Sequence, residues 1–234
     1  MPFPGVNFDY SNASVLVTGG SSGIGLACAQ AYRDAGANVW VTGRKESAQE
    51  YDTDLTNMTY TRLDVADREA LFRLAASLES LDILVNNAGV AFDEGLLESS
   101  NLDLFRKTIE INLMGVAFAL KHLAPCVGDG GSIINTASAA ASSGIPGYGS
   151  YAASKAGVVG LSRVAAMELG ARGICVNAIC PGTVATPMEP DDSAEAQFTA
   201  KASALGRIAQ TDDLVGLYHF LASSESKYIT GQAI

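Results

Sequence analysis

Tyr151-Ala152-Ala153-Ser154-Lys155 sets a phenol four residues before an ammonium. On a helix, positions i and i+4 share a face. A cation there favours the phenolate and lowers the tyrosine pKa. A phenol tuned in this way can give a proton to a forming alkoxide or take one from an alcohol. The pair alone is common and usually structural, so its neighbours matter. Ser138 could hydrogen-bond a substrate carbonyl, although it lies in a small-residue run, Thr136 to Ser143, where loop serines are ordinary. Asn112 interrupts a largely apolar helical stretch. A buried amide is costly unless bonded, so Asn112 serves either a water or carbonyl in a proton path or a purely structural bond.

A second group of residues suits a nucleotide. Thr18-Gly19-Gly20-Ser21-Ser22-Gly23-Ile24-Gly25 joins a β-branched run to a helical one. Glycines let such a turn be sharp and let a pyrophosphate approach the backbone. The free N–H groups at the helix start then face the anion. A tight turn without a ligand is the plainer reading of the loop alone. The next run ends at Thr42-Gly43-Arg44-Lys45, where an acidic residue would bind the 2′-hydroxyl of an NAD ribose. Arg44 stands there instead, and an arginine grips a 2′-phosphate with paired donors, so NADP is favoured over NAD. Glu46 is the competing acidic partner, and Arg44 as a solvated surface charge is the bland alternative. Asp64 could accept from an adenine amino group or begin the helix near Asp67. Asn86-Asn87-Ala88-Gly89 suits a shaped turn or a ligand edge, and the turn is favoured on local grounds.

The elements that must position these residues alternate along the chain. Strands are expected at Ser14 to Thr18, Asn38 to Thr42, Tyr60 to Asp64, Leu81 to Val85, Ser132 to Thr136 and Ile174 to Ile179. Helices are expected at Ile24 to Ala35, Asp67 to Leu78, Asp103 to Val127, Tyr151 to Leu169 and Thr211 to Ala222, the last with Thr211 as N-cap. A reduced helix is expected before the third strand. Regular alternation predicts an α/β fold, a doubly wound parallel sheet of Rossmann type with right-handed crossovers and helices on both faces. Ligands then bind beyond the carboxyl ends of the strands. No linker or repeat divides the 234 residues, so one domain is expected, with a substrate lid near 186–201.

The stretch Ile109 to Val127 is apolar on nearly all sides, which calls for cover on more than one side and suggests a homo-oligomer. Charge and composition narrow the partners. The net charge of −10 and scattered Lys and Arg argue against a nucleic-acid partner. Cys28, Cys126, Cys175 and Cys180 form no Cys-x-x-Cys pair and read as reduced, partly buried thiols. His122 and His219 are too isolated for a metal site. Met1 to Tyr10 does not read as a signal peptide, and no apolar run is long enough to span a bilayer, so the cytoplasm is the expected location.

Taken together, Thr18-Gly19-xxx-Gly23-x-Gly25, Asn86-Asn87-Ala88-Gly89, Asn112, Ser138, Tyr151-xxx-Lys155 and Pro181-Gly182 followed by Val184 and Thr186 resemble the short-chain dehydrogenase/reductase family from about Ser11 to Ile234. The resemblance implies that Tyr151 is the acid/base and that Lys155 lowers its pKa and binds the nicotinamide ribose. It implies that Ser138 orients the carbonyl and that Asn112 supports a water-linked relay. Pro181, Gly182, Val184 and Thr186 would hold the nicotinamide end. Asn87, Ala88 and Gly89 would border the adenosine ribose, and Asp64 with Val65 the adenine. Similar enzymes are often homotetramers paired through two long helices; a dimer is the other form expected. Two departures are visible. The segment between Arg44 and Asp64 is short. The chain also stops at Thr230-Gly231-Gln232-Ala233-Ile234, where relatives usually continue, so a missing tail is expected and the sheet edge there is in question.

The implied function is an NAD(P)-dependent oxidoreductase interconverting a secondary alcohol and a ketone. Thr186 to Lys201 reads as a mobile lid in which Met188 would meet substrate. Val90, Phe92, Ala139, Ala140 and Ala141 are expected to line an apolar pocket. No arginine stands ready for a substrate carboxylate, which favours a neutral small molecule. A 3-oxoacyl thioester reductase and a sugar or polyol dehydrogenase are the alternatives. A catalytically silent nucleotide-binding scaffold would be expected to have lost Ser138, Tyr151 or Lys155, and all three are present.

Overall fold

The structure, a computed structural model, describes residues 6–92 and 95–234. The reading of Met1 to Tyr10 therefore lies partly outside the described residues. Six parallel strands form one sheet: β1 (Ser14–Thr18), β2 (Asn38–Gly43), β3 (Thr59–Arg62), β4 (Leu81–Asn86), β5 (Val127–Thr136) and β6 (Cys175–Ile179). Their order is β3-β2-β1-β4-β5-β6. From β1 the chain turns outward to β2 and β3, then returns to place β4 on the other side. The reversal lies between β1 and β4, where Thr18 pairs with Asn86 at the carboxyl ends. Ligands of open α/β sheets bind at such a point.

Alternation along the strands divides the core. Val15, Val17, Val39, Val41, Ile83, Val85 and Ile134 pack to one face, with Tyr32 of α1 (Gly23–Asp34) and Tyr218 and Leu221 of α7 (Asp212–Ala222). Leu16, Leu84, Ile133 and Val176 point the other way. They meet Leu71 and Leu74 of α2 (Arg68–Ser77), Ala119 of α4 (Gly115–His122) and Ala165 and Ala166 of α5 (Gly149–Leu169). Period-2 alternation buried on both faces is what places helices on both sides of the sheet.

Several boundaries differ from expectation. β3 ends at Arg62, and Asp64 lies in the turn beyond it. The expected reduced helix is a single 3-10 turn, Ala48–Glu50. The helix expected at Asp103 to Val127 is α3 (Leu102–Ile109), a wide π turn (Glu110–Met114) and α4, ending at His122. A 3-10 turn containing Pro125 follows, and Val127 already belongs to β5. Proline biases the residue before it away from the helical region, so the run cannot continue. Thr211 sits at the N-cap of α7 but makes no side-chain cap bond. Asp213, within the first turn, instead reaches back to accept from the Gln210 N–H at 2.8 Å, which ties the preceding chain to the helix start.

The sheet edge beside β6 is also covered. Gly231 N–H donates to Val176 O at 2.7 Å and Ala178 N–H to Gln232 O at 2.8 Å. Ile234 N–H donates to Ala178 O at 3.0 Å, and Cys180 N–H to Ile234 O at 2.6 Å. Residues 231–234 thus extend the sheet as a short parallel segment, and the edge in question has a partner. The segment expected as a mobile lid is a turn, closed by reciprocal Thr186–Glu189 backbone bonds at 3.0 Å, followed by the helix α6 (Ala194–Ala202). Ser193 caps it, accepting from the Ala196 N–H at 2.9 Å. All four cysteines are free thiols, with Cys28 and Cys175 buried. Among the described residues no helix is long and apolar enough to cross a membrane.

Candidate active site

The glycine loop is shaped as its residues require. Gly19 and Gly23 have φ of +66° and +55°, which side chains other than hydrogen rarely tolerate. A Cβ on Gly19 would lie 2.8 Å from Ala88 Cα, and one on Gly25 would collide with the Gly19 carbonyl and the Asn87 side-chain amide. Thr18 Oγ1 accepts from the N–H groups of Asn87 and Ala88 at 3.0 and 3.3 Å. Asn87 Nδ2 donates to Gly19 O at 3.3 Å. The glycine loop and the Asn87–Gly89 turn are therefore one assembly. Ser22, the N-cap of α1, makes no side-chain cap bond, which leaves the first N–H groups of the helix to a ligand. Ser21 is buried and Ser22 exposed. The Thr186 turn packs against this loop: Thr186 Cγ2 lies 3.4 Å from where a Gly23 Cβ would be. A cradle whose glycines are required by close contacts at Gly19 and Gly25 and by left-handed backbone at Gly19 and Gly23, opening onto a helix start, fits a dinucleotide pyrophosphate.

At the outer end of the loop, Arg44 is exposed and holds no ion pair among the described residues. Glu46, the rival acidic partner, is paired with Arg62. Asp64 Oδ1 accepts from the Ala66 N–H at 3.0 Å, and Asp67 caps α2 through the Ala70 N–H at 3.0 Å. The Asp64 carboxylate thus shapes the turn into α2. It also borders a cleft of about 400 Å³ that faces Arg106 and Lys107 of α3 and Glu110 of the π turn. Val65 is buried, its side chain against Gly115.

The reacting end lies beyond β4 and β5. Lys155 is buried and its Nζ donates to the Thr136 carbonyl at 2.7 Å. Nζ lies 5.7 Å from the centre of the Tyr151 ring. Burial pushes the lysine down to about 8. Burial likewise raises the Tyr151 phenol above its ordinary value, opposed by a hydrogen bond with the Ser138 hydroxyl. The expected lowering of the tyrosine by the lysine is therefore not what the structure has. The ammonium bonds a carbonyl, and withdrawal from water disfavours the phenolate. Ser138 Oγ also accepts from the Ala140 N–H at 3.1 Å, which fixes it at the head of the Ala139–Ala141 turn. Ala139 N–H donates to Pro181 O at 2.8 Å, so the Pro181–Gly182 segment is tied to the Ser138 segment.

Asn112 lies in the π turn and is fully buried. Its Oδ1 accepts from the Val90 N–H and its Nδ2 donates to the Val90 carbonyl, both at 2.8 Å. Nδ2 also meets Ser154 Oγ at 3.2 Å. Both Nδ2 hydrogens and one lone pair of Oδ1 hold neighbours, and the second lone pair is left over. A Cβ on Gly89 would lie 3.2 Å from Asn112 Oδ1 and 3.5 Å from Lys155 Nζ. The Asn87–Gly89 turn thus links the glycine loop to Lys155. Gly182 and Met188 are exposed, Pro181 and Val184 buried, and Thr186 half-buried. Ala140 is also buried, so of the expected pocket residues it offers no surface; its small side chain is packed beneath the turn.

Sequence reasoning passed over Ser154, which joins Asn112 to the Tyr151 carbonyl through a 2.7 Å bond. It also passed over the line in which Asn86 Nδ2 donates to Asn135 Oδ1 and Asn135 Nδ2 to Ser162 Oγ, each at 2.8 Å. Asparagine and serine at strand ends and on an apolar helix were the available signal.

A family model described as enoyl-(acyl carrier protein) reductase matches residues 19–234. Trans-4-hydroxycyclohexanecarboxylate dehydrogenase of Sinomonas cyclohexanicum is 37% identical over 232 residues, covering 92% of this chain and 88% of that protein. The 3-oxoacyl-(acyl-carrier-protein) reductase FabG of Staphylococcus aureus is 36% identical over 235 residues, covering 94% and 95%. The crystal structure of a blue fluorescent protein from a metagenomic library, in complex with NADPH, superposes with a TM-score of 0.88 at 31% identity, covering 97% and 96%. The chain belongs to the short-chain dehydrogenase/reductase family. It is an NAD(P)-dependent oxidoreductase acting on CH–OH or keto groups.

Proposed function

We propose that this chain, acting as one domain over residues 1–234, interconverts a neutral secondary alcohol and a ketone with Tyr151 as the acid/base. The observation that carries the reading is the meeting of Tyr151 with Ser138 above a buried Lys155 whose ammonium is fixed on Thr136 O. The nicotinamide, when bound, supplies or receives the hydride. Ser138 orients the carbonyl oxygen, and Tyr151 Oη delivers a proton to it as the alcohol forms. A phenol held protonated by burial suits that direction. Lys155, pushed down to about 8, remains largely charged at neutral pH and offers N–H donors to a ribose hydroxyl. Asn112 supports the relay by holding Val90 and Ser154. Pro181, Gly182, Val184 and Thr186 hold the nicotinamide end, and Met188 meets substrate from the lid near 186–201. At the other end Gly19, Ser21, Ser22, Gly23, Ile24 and Gly25 take the pyrophosphate, with Asn87, Ala88, Asp64 and Val65 beyond.

NADP is favoured over NAD because Arg44 is uncommitted while Glu46 is engaged by Arg62. A homo-oligomer is supported by Val164 and Met167, exposed on α5. The second cover that α3 and α4 demand is partly internal, however, since Leu113 packs on Gly157 of α5. The cytoplasm is the proposed location. A 3-oxoacyl thioester as substrate is a second reading, favoured by the similarity to the Staphylococcus aureus reductase. The test is a panel of cyclic ketones, 3-oxoacyl thioesters and their alcohols assayed with both cofactors. Turnover of cyclic ketones with NADPH supports the first reading, turnover of thioesters alone supports the second, and no turnover of either rejects both.

A further inference from the structure

The short segment after β2 folds back over the glycine loop and brings Tyr51 to the end of that strand. Its Oη accepts from the Lys45 N–H at 3.0 Å. A Cβ on Gly43 would lie 2.7 Å from Ser21 Oγ and 2.9 Å from Tyr51 Cζ, so phenol and serine hydroxyl converge above that glycine. Thr53 Oγ1, donating to Ser21 O at 3.2 Å, staples the same segment to the loop. Lys45 Nζ stands 4.7 Å from the Tyr51 ring centre, and the neighbouring Arg44 has no ion pair among the described residues. Burial pushes the Tyr51 phenol up, yet hydrogen bonds from Lys45, Ser21, Tyr60 and Arg44 outweigh it and hold the group below its ordinary value. Donors that favour a negative oxygen are thus gathered at one point, and a tyrosine oxygen occupies it.

We infer that the Tyr51 hydroxyl is a placeholder for the ribose 2′-phosphate and sets how strongly this chain separates 2′-phosphorylated from unphosphorylated adenosine. The inference rests on the reading that the cofactor's adenosine ribose meets the end of β2. A 2′-phosphate needs the Lys45 N–H, the Ser21 hydroxyl and Arg44, so it must evict the phenol and forfeit the bonds the phenol makes. A 2′-hydroxyl needs no eviction, because it is small and uncharged and can accept from the phenol O–H. Tyr51 is therefore a specificity-determining residue that taxes the phosphorylated ligand.

The test is calorimetric and needs no turnover. Binding of 2′,5′-ADP and 5′-AMP is measured for the parent chain, Tyr51→Phe and Tyr51→Ala, with melting curves as a check on folding. Removing the oxygen should raise the affinity ratio of 2′,5′-ADP to 5′-AMP by about fivefold, the scale of one hydrogen bond. A raised ratio in either variant supports the inference, and a ratio unchanged or lowered in both overturns it. Arg44→Ala separates this from the cofactor reading. If Arg44→Ala lowers the ratio while both tyrosine variants leave it alone, the phosphate is bound there and the placeholder is rejected. If Arg44→Ala changes nothing while Tyr51→Phe raises the ratio, the placeholder stands and Arg44 loses its part.

Discussion

Asn112 and Val90 are joined by two reciprocal hydrogen bonds, side-chain amide to backbone, each 2.8 Å long. They lie in different elements, and the pair locks the chain beyond β4 to the π turn between α3 and α4. Asn112→Leu leaves the Val90 N–H and carbonyl without their side-chain partners at a half-buried position. We expect a loss of about 2–4 kcal/mol in stability, read from the urea midpoint at unchanged slope. Asn112→Asp keeps one acceptor and should fall between the two.

Tyr151→Phe should fold and bind NADPH with unchanged affinity while kcat drops by about 10²–10⁴-fold. Fluorescence titration of the cofactor beside steady-state turnover separates the two. Retained turnover would remove Tyr151 from its role.

Gly25→Ala forces a methyl group onto the Gly19 carbonyl, which is backbone and cannot swing aside, and onto the end of the Asn87 side chain. Overpacking of this kind costs about 1–3 kcal/mol, and here the strain falls on the pyrophosphate cradle. Cofactor affinity should drop by about tenfold or more, with the circular-dichroism spectrum preserved. Wild-type affinity in this variant would show that the cradle is not where the cofactor sits.

His219 sits among the rings of Phe8, Tyr10 and Tyr32, at 5.4, 5.2 and 4.7 Å. Burial lowers its pKa from the ordinary 6.5, and its Nε2 has no hydrogen-bond partner among the described residues. The nearby phenols of Tyr10 and Tyr32 and the thiol of Cys28 are pushed up by burial, so they do not titrate near neutral pH. Below pH 6.5 the unfolded chain takes up a proton at this histidine that the folded one refuses. Stability is therefore complete above that pH and falls as the medium is acidified through the folded pKa. Melting temperatures of the parent should decline between about pH 7 and 5. His219→Phe should flatten that slope, and equal slopes would clear His219 of the effect.

Much of this was legible because it was local. Val15, Leu16 and Val17 alternate in type only weakly, but their setting between turns fixed a buried strand, and the glycine spacing fixed the cradle. The π turn was not legible, since the partner of the asparagine within it, Val90, is 22 residues from Asn112. The end of α4 could have been read from Pro125. The start of β5 could not, because Gly128, Gly130 and Gly131 carry a register shift against β4 between Leu81 and Ile83. The sign of the Tyr151 shift was misjudged because helical spacing says that Lys155 is near. It does not say that Thr136 O claims the ammonium or that the phenol is dry. The role of Tyr51 depends on how a short segment folds back, and nothing in its own neighbours announces it.

The all-parallel order of the strands carries a kinetic burden. Nowhere in the six-strand ladder can a tight hairpin start the sheet, because parallel neighbours must be joined by a crossover. β1 stays half-dressed until β4 arrives, so Val15 and Leu16 wait for Ile83 and Leu84 to emerge before their second flank is filled. Long-range closures of this sort slow assembly and lengthen the time that sticky strand edges are bare. A nascent chain of this protein therefore has a bare β1 flank open to self-association until its fourth strand has left the ribosome.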